Sequence, residues 1–393
     1  MSRILAISML SAIVGLLPVS SRANSDAVTD IRPIYLAQNS SELAAKVINP
    51  AKKTNIWIGP EELTALEMQG DAWKKLKKQA MEPAGKPDLS HYKQRNNVHV
   101  LAKALVYARC KLETSHQQCK NVDLKALHQQ VVDQIAMMIG EEINGNTLAL
   151  GRKLVAYVIA ADLVKLPAKD DKNFKTWLRN VRHLQPDSRS KKTLISTHEE
   201  RPNNWGTHAG ASRIAIAVYL DDHQDIQRSA TVFKGWLGDR SAYSSFRYEH
   251  GLTWQCDPNN PVGINPKGCT KNGYSIDGVL ADDQRRGGKF HWPPPKENYV
   301  YEALQGAMVQ AVILHRRGYD TFNWQDQALL RAYRWLYEVA DFPANGDDTW
   351  QLPLVDCYYG TSFWNGKKTR IGKNMGWTGW THSAKNTGTC GRN

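Results

Sequence analysis

Leu148–Leu166, "LALGRKLVAYVIAADLVKL", decides the fold class. Its apolar residues recur at three- and four-residue spacing over nineteen positions, a period that fits a buried helix and not a strand. The same rhythm runs through Val98–Cys110, Leu124–Ile143, Ala211–Asp222, Tyr301–Gly318 and Asp326–Phe342. Short breaks rich in Gly, Asn, Asp or Pro, such as Asn144–Asn146 and Arg316–Asn323, separate most of them. Alternating strand-like segments are almost absent, and no fixed-period repeat marks a solenoid array. The expectation is an all-α chain folded as a closed ring of helical hairpins.

Two long segments interrupt that rhythm, Arg240–Asn298 and Asp347–Asn393, both rich in Gly, Trp, Tyr, Asn and basic residues. Loops of that length in a compact domain usually carry function when they are ordered. Six cysteines fall in three sequential pairs, Cys110/Cys119, Cys256/Cys269 and Cys357/Cys390, and we expect each pair to close a disulfide. No Cys-x-x-Cys or His-Glu-x-x-His spacing occurs, so neither a zinc site nor any other metal or cofactor is expected. At the start, Arg3 followed by the apolar run Ile4–Val19 and small residues near Ala23 reads as a secretory signal over residues 1–23, with Ala27 as the alternative cleavage point. Residues 24–393 then form one catalytic domain, exported to the periplasm or secreted.

The formal net charge is +13, which calls for an anionic partner, because a basic field concentrates anions around the protein. Charge alone does not choose among nucleic acid, a membrane surface and an acidic polysaccharide. The clusters that carry chemistry do. "RPNNWGTHAG" (Arg201–Gly210) opens a helix with more hydrogen-bonding side chains than a core needs. Asn203 or Asn204 can cap that helix, but capping leaves the second asparagine, Trp205 and His208 without a purpose. Asn204 and His208 are four apart and share a helix face, and Gly206 and Gly210 line a neighbouring face where a second helix or a ligand can approach closely. "SSFRYEHGLTWQ" (Ser244–Gln255) adds Arg247, Tyr248, His250 and Trp254. "DDQRRGGKFHWPPPKENYVYEALQGAM" (Asp282–Met308) adds Arg286, Trp292, Tyr299 and Tyr301.

These clusters, in this order, resemble the alginate lyase superfamily of polysaccharide lyases, whose members are α/α toroids. There an "NNHSYW"-like motif begins a helix and an "R…YHNYAL"-like segment follows; here "NNWGTH" and "RRGGKF…ENYVYEAL" take those places. Trp205 stands where the family has histidine, and His208 lies one turn further along. The resemblance implies an incomplete α/α barrel with long aromatic-rich loops, acting as a monomer on an anionic polysaccharide, not on nucleic acid or a membrane. It also implies β-elimination at O4 of a uronic acid such as those of alginate or glucuronan. The C6 carboxylate must be neutralised before the C5 proton becomes acidic, a task for Asn204 aided by Arg286 or a protonated His208. A base then removes that proton and an acid protonates O4. His250 is the leading base and His208 the second, and Tyr299 or Tyr301 is the acid. Asn203, Trp205, Arg247, Tyr248, Trp254, Trp292, Lys367, Arg370 and Trp377 are expected to bind substrate, the tryptophans by stacking on sugar rings.

Two other readings compete. A glycoside hydrolase on a helical toroid would need two carboxylates flanking the bond, for which Glu249, Asp277 and Asp282 are available. A non-catalytic polyanion-binding protein fits charge and tryptophans equally well, yet leaves the His/Tyr/Asn arrangement unexplained.

Overall fold

The computed structural model describes residues 55–186, 191–249, 251–383 and 390, and the expected signal segment lies outside them. Fourteen α-helices account for most of these residues: α1 (Pro60–Ala65), α2 (Gly70–Met81), α3 (Asn96–Leu112), α4 (Leu124–Met138), α5 (Thr147–Val164), α6 (Ala168–Val181) and α7 (Leu194–Glu200). They continue with α8 (Asn204–Tyr219), α9 (His223–Trp236), α10 (Ala281–Gln284), α11 (Tyr299–Arg316), α12 (Trp324–Arg334), α13 (Leu352–Tyr359) and α14 (Thr378–Thr381). Among the described residues the only paired strands form one short antiparallel hairpin, β1 (Thr270–Lys271) with β2 (Tyr274–Ser275).

Helices α3, α5, α8 and α11 are buried on nearly every side, which is why their sequences read as apolar all round. They lie side by side. Between α5 and α8, Ser212 Oγ donates to the Gly151 carbonyl at 2.8 Å and accepts from the Val155 amide at 3.0 Å. Between α8 and α11, a Cβ on Gly306 would stand 2.4 Å from the Thr207 carbonyl carbon, and Gln310 Nε2 donates to the Thr207 carbonyl at 2.9 Å. Gly210, one turn on, packs against the Gln310 side chain. The contacts advance in the same direction along each pair, so α5, α8 and α11 run parallel. Lys153 Nζ, near the start of α5, donates to the Gln94 carbonyl just ahead of α3 at 3.2 Å, which puts the start of α3 at the same end.

Amphipathic helices return along the outside. Lys103 on α3 donates to the carbonyls of Ala80 and Glu82, both at 2.7 Å, whereas Arg109 further along reaches back to Leu66 at 3.3 Å. On α8, Arg213 pairs with Asp225 at the start of α9, and Trp236 at the end of α9 donates to the Pro202 carbonyl at 2.7 Å. On α11, Ala311 accepts from Thr321 and Tyr301 donates to the Phe342 carbonyl. Each pairing runs antiparallel, giving helical hairpins with a buried inner row and a charged outer row. The two ends of the inner row are joined by the segment after α13: Asn374 donates to Gln305 on α11 at 3.3 Å, and Trp377 Nε1 to Val98 on α3 at 2.9 Å. The all-α toroid expected from the sequence is therefore present. The described residues all fall within one compact unit.

The three cysteine pairs close as expected, with Cα–Cα separations of 5.4, 6.0 and 5.8 Å for Cys110–Cys119, Cys256–Cys269 and Cys357–Cys390. No helix among the described residues is long and apolar enough to cross a membrane.

Candidate active site

Parallel inner helices bring their N-termini to one end of the ring, and the "NNWGTH" turn sits there. Asn203 is the N-cap of α8, its side chain accepting from the Trp205 amide at 3.2 Å. That leaves Asn204 free of capping. Its backbone N–H donates to Asp283 Oδ1 at 3.2 Å, while its side chain is wholly buried and finds no protein partner for either amide atom. Buried amides are nearly always paired within a protein, so an unpartnered pair of donor and acceptor atoms calls for an explanation. Asp283 is itself buried; burial and then the neighbouring Asp282 push its carboxyl well above the usual range.

His208 lies one turn after Asn204 and is also wholly buried. It is held where α8 passes closest to both neighbours: a Cβ on Gly151 would lie 2.9 Å from the Ala209 amide, and one on Gly306 2.6 Å from the His208 amide. Only glycine permits these approaches. Facing the imidazole is Glu302 of α11, with Oε2 3.7 Å from Nε2. Arg152 of α5 donates to one Glu302 oxygen and Lys373, from the segment after α13, to the other. Burial alone would raise the Glu302 carboxyl, but His208, Arg152 and Lys373 outweigh it and hold the group far below its ordinary value. Burial pushes His208 down to about 4, with Arg152 and Lys373 adding to the effect and Glu302 opposing it. The imidazole is thus neutral at neutral pH. It cannot serve as the cation suggested by the sequence, but it can accept a proton.

The surround is polar, with cations and carboxylates interleaved. Lys373 also pairs with Asp347 at 3.3 Å, and Asp347 with Arg95 at 2.9 Å. Gln305 donates to Asp348 at 2.7 Å, and burial lifts the Asp348 carboxyl to about 7 despite that bond. Asn97 fixes the Lys373 backbone by donating to its carbonyl at 3.1 Å.

The two tyrosines separate cleanly. Tyr299, the first residue of α11, is 39% exposed, and the Arg286 guanidinium lies over its ring at 3.8 Å. Three residues before Glu302, it occupies the same helix face one turn nearer the N-terminus, as Asn204 does relative to His208. Tyr301 is wholly buried, with its hydroxyl donating to the Phe342 carbonyl at 2.5 Å. It is packed as a core residue, whereas Tyr299 reaches the surface.

Several expected substrate contacts are corrected. Trp254 is wholly buried against Phe290 and Trp335, its Nε1 donating to the Gly288 carbonyl at 3.0 Å, so no ring face is open to a sugar. Trp377 is likewise buried, with Nε1 committed to Val98. Tyr248 buries its hydroxyl without a partner, and Arg247 points outward to Glu200 at 3.2 Å. Asn203 is spent on capping. Trp205 is half-buried beneath the Arg201 guanidinium, 4.8 Å from its ring. Trp292 is half-buried and stacks at 4.4 Å on the exposed Tyr274 of the β-hairpin. Lys367 and Arg370 are exposed in the segment that leads into Lys373. His250 lies outside the described residues.

The residues that sequence reasoning left out are Arg152, Glu302 and Lys373. Each charged side chain on α5 and α11 interrupts an apolar, fully buried helix, and that interruption was the available signal. The carboxylates suggested for a hydrolase are engaged elsewhere: Asp282 and Glu249 with Arg285, each within 2.9 Å, and Asp277 with Arg331.

The alginate lyase family model matches residues 58–240, from the residue before Gly59 through the whole of α9. That match supports membership of the alginate lyase superfamily. The match supports a polysaccharide lyase, and the family acts on anionic polysaccharides. No curated protein matches the chain. Arg152, Asn204 and His208 lie inside the matched segment, whereas Tyr299, Glu302 and Lys373 come after it.

Proposed function

We propose that this enzyme cleaves a uronic-acid polymer such as alginate or glucuronan by β-elimination at O4. The observation that carries the reading is an unpartnered Asn204 amide one helical turn from a neutral His208, with the exposed Tyr299 at the start of α11. The Asn204 Nδ2 would donate to the C6 carboxylate as charge accumulates there, within the field of Arg152 and Lys373. His208 takes the C5 proton, the electrons of the C5–H bond form the C4=C5 double bond, and the C4–O4 bond breaks. The Tyr299 hydroxyl gives its proton to the departing O4, with the Arg286 cation placed to offset charge on the phenolate. No covalent bond to the protein and no external reductant or oxidant is required. Export to an oxidising compartment accords with the three disulfides.

Incubating the mature protein with a panel of polyuronates while following ultraviolet absorbance tests this directly. Absorbing unsaturated ends on at least one polymer are expected. New reducing ends without absorbance would instead indicate hydrolysis, and salt-sensitive binding without turnover a polyanion-binding protein.

A further inference from the structure

The reaction needs only a base, an acid and carboxylate donors, yet the most elaborately held group in the site is none of these. Glu302 is buried on α11 with Arg152 on one oxygen and Lys373 on the other, its side chain only 7% exposed. A buried carboxylate with two cationic partners is costly to desolvate and contributes little net stability by itself. Its position explains what it does. Neither His208 nitrogen has a hydrogen-bond partner within the protein, but Nε2 is the one that faces Glu302 Oε2, at 3.7 Å. The charged groups facing this imidazole come from three elements: Arg152 from α5, Glu302 from α11 and Lys373 from the segment after α13, with Asp347 and Arg95 paired behind Lys373.

We propose that Glu302 is the positioning residue of the site, fixing His208 as the Nε2–H tautomer so that Nδ1 presents its lone pair to the substrate C5 proton. The inference rests on His208 being the base. A neutral imidazole carries one proton, and the nitrogen nearer a carboxylate keeps it, because there the N–H has an acceptor. At 3.7 Å the pair is longer than a hydrogen bond, as catalytic pairs often are before substrate binds. Arg152 and Lys373 keep Glu302 ionised, and they hold it still between two helices and the closing segment. The same carboxylate favours the imidazolium that forms when Nδ1 takes the proton. The arrangement separates two duties: Asn204 and the cations manage the substrate's carboxylate, and Glu302 manages the base.

The decisive measurement is made on the wild-type protein. Nitrogen-15 NMR of histidine-labelled enzyme at pH 7, with the His208 signal assigned by its loss in His208→Gln, should show the Nε2–H tautomer. An Nδ1–H tautomer would overturn the proposal while leaving the lyase reading intact, since the latter is decided by unsaturated product. As a second arm, Glu302→Gln should lower kcat at least about 10-fold with KM changed by less than about threefold, the pattern of a group that acts through another. Its acid limb of kcat/KM should also shift to lower pH, because the imidazolium loses its counter-charge. Glu302→Asp should recover part of the rate. An acid limb that stays in place in Glu302→Gln would reduce Glu302 to a packing role.

Discussion

Replacing Asn204 with alanine should separate catalysis from stability. In the fold, the Asn204 side chain makes no hydrogen bond to protein, and its backbone N–H keeps Asp283 whatever the side chain. Capping belongs to Asn203. Truncation therefore removes two buried, unpaired polar atoms at the expense of a small cavity, and these terms oppose each other. The net change in unfolding free energy should stay within about 1 kcal/mol. Turnover should fare differently. Loss of one donor aimed at developing charge costs on the order of 100- to 1,000-fold, about 2.7–4 kcal/mol of barrier. Asn203→Ala should show the inverse, losing about 1 kcal/mol of stability with the cap and keeping its rate within a few-fold. Thermal denaturation and initial rates of absorbance on a polyuronate give both quantities from one preparation. If Asn204→Ala turns over at nearly the wild-type rate, or loses more stability than Asn203→Ala, the assignment of the two asparagines is wrong.

Tyr299→Phe should abolish most turnover without altering the melting temperature, whereas Tyr301→Phe should lose about 1 kcal/mol of stability through its bond to Phe342 and keep activity; rates and melting curves for both variants decide this. Because burial depresses His208 to about 4, the native state resists protonating it, so stability falls as pH drops from about 6.5 to 4, by about 3 kcal/mol from this group. Asp348, raised to about 7, acts in the opposite sense: its contribution is present at low pH and is lost as pH rises from about 4 to 7. Denaturant titrations across pH should thus show less acid sensitivity in His208→Gln and a gain at neutral pH in Asp348→Asn. Gly306→Ala would set a methyl 2.4 Å from the Thr207 backbone and force α8 from α11, which should cost about 1–3 kcal/mol or more and lower activity as well, measured by the same melts and rates.

Inner helices were legible in the sequence because burial on all sides leaves an apolar run that only a helix of that length can satisfy. Outer helices α2, α6 and α9 were harder to see, since one narrow apolar stripe among many charges resembles a solvated segment. Element ends shifted by a few residues: the run Asp326–Phe342 ends its α-helix at Arg334 and passes through one π-type turn, Trp335–Val339. At the site, "NNWG" was visible because its polar side chains exceed what a helix start needs. Glu302 and Arg152 were not, because a single charge inside an apolar helix looks like an exposed face until its neighbours are known. The tryptophans of the long loops misled for a related reason. Composition says that Trp254 and Trp377 are aromatic; it does not say that their indoles already have carbonyl partners and a packed surround.

Lys373 reaches Glu302 from the last part of the chain, after every inner helix has been made, and with it the ring closes between α11 and α3. Folding can therefore build most of the scaffold from local hairpins at low contact order while the charge pattern of the site is still incomplete. The Arg152–Glu302 and Glu302–Lys373 pairings span 150 and 71 residues, and the second forms only when the ring-closing segment, whose Trp377 reaches Val98 across 279 residues, is in place. The site's charge pattern is therefore complete only once that segment has docked, so ring closure and assembly of the site are one event.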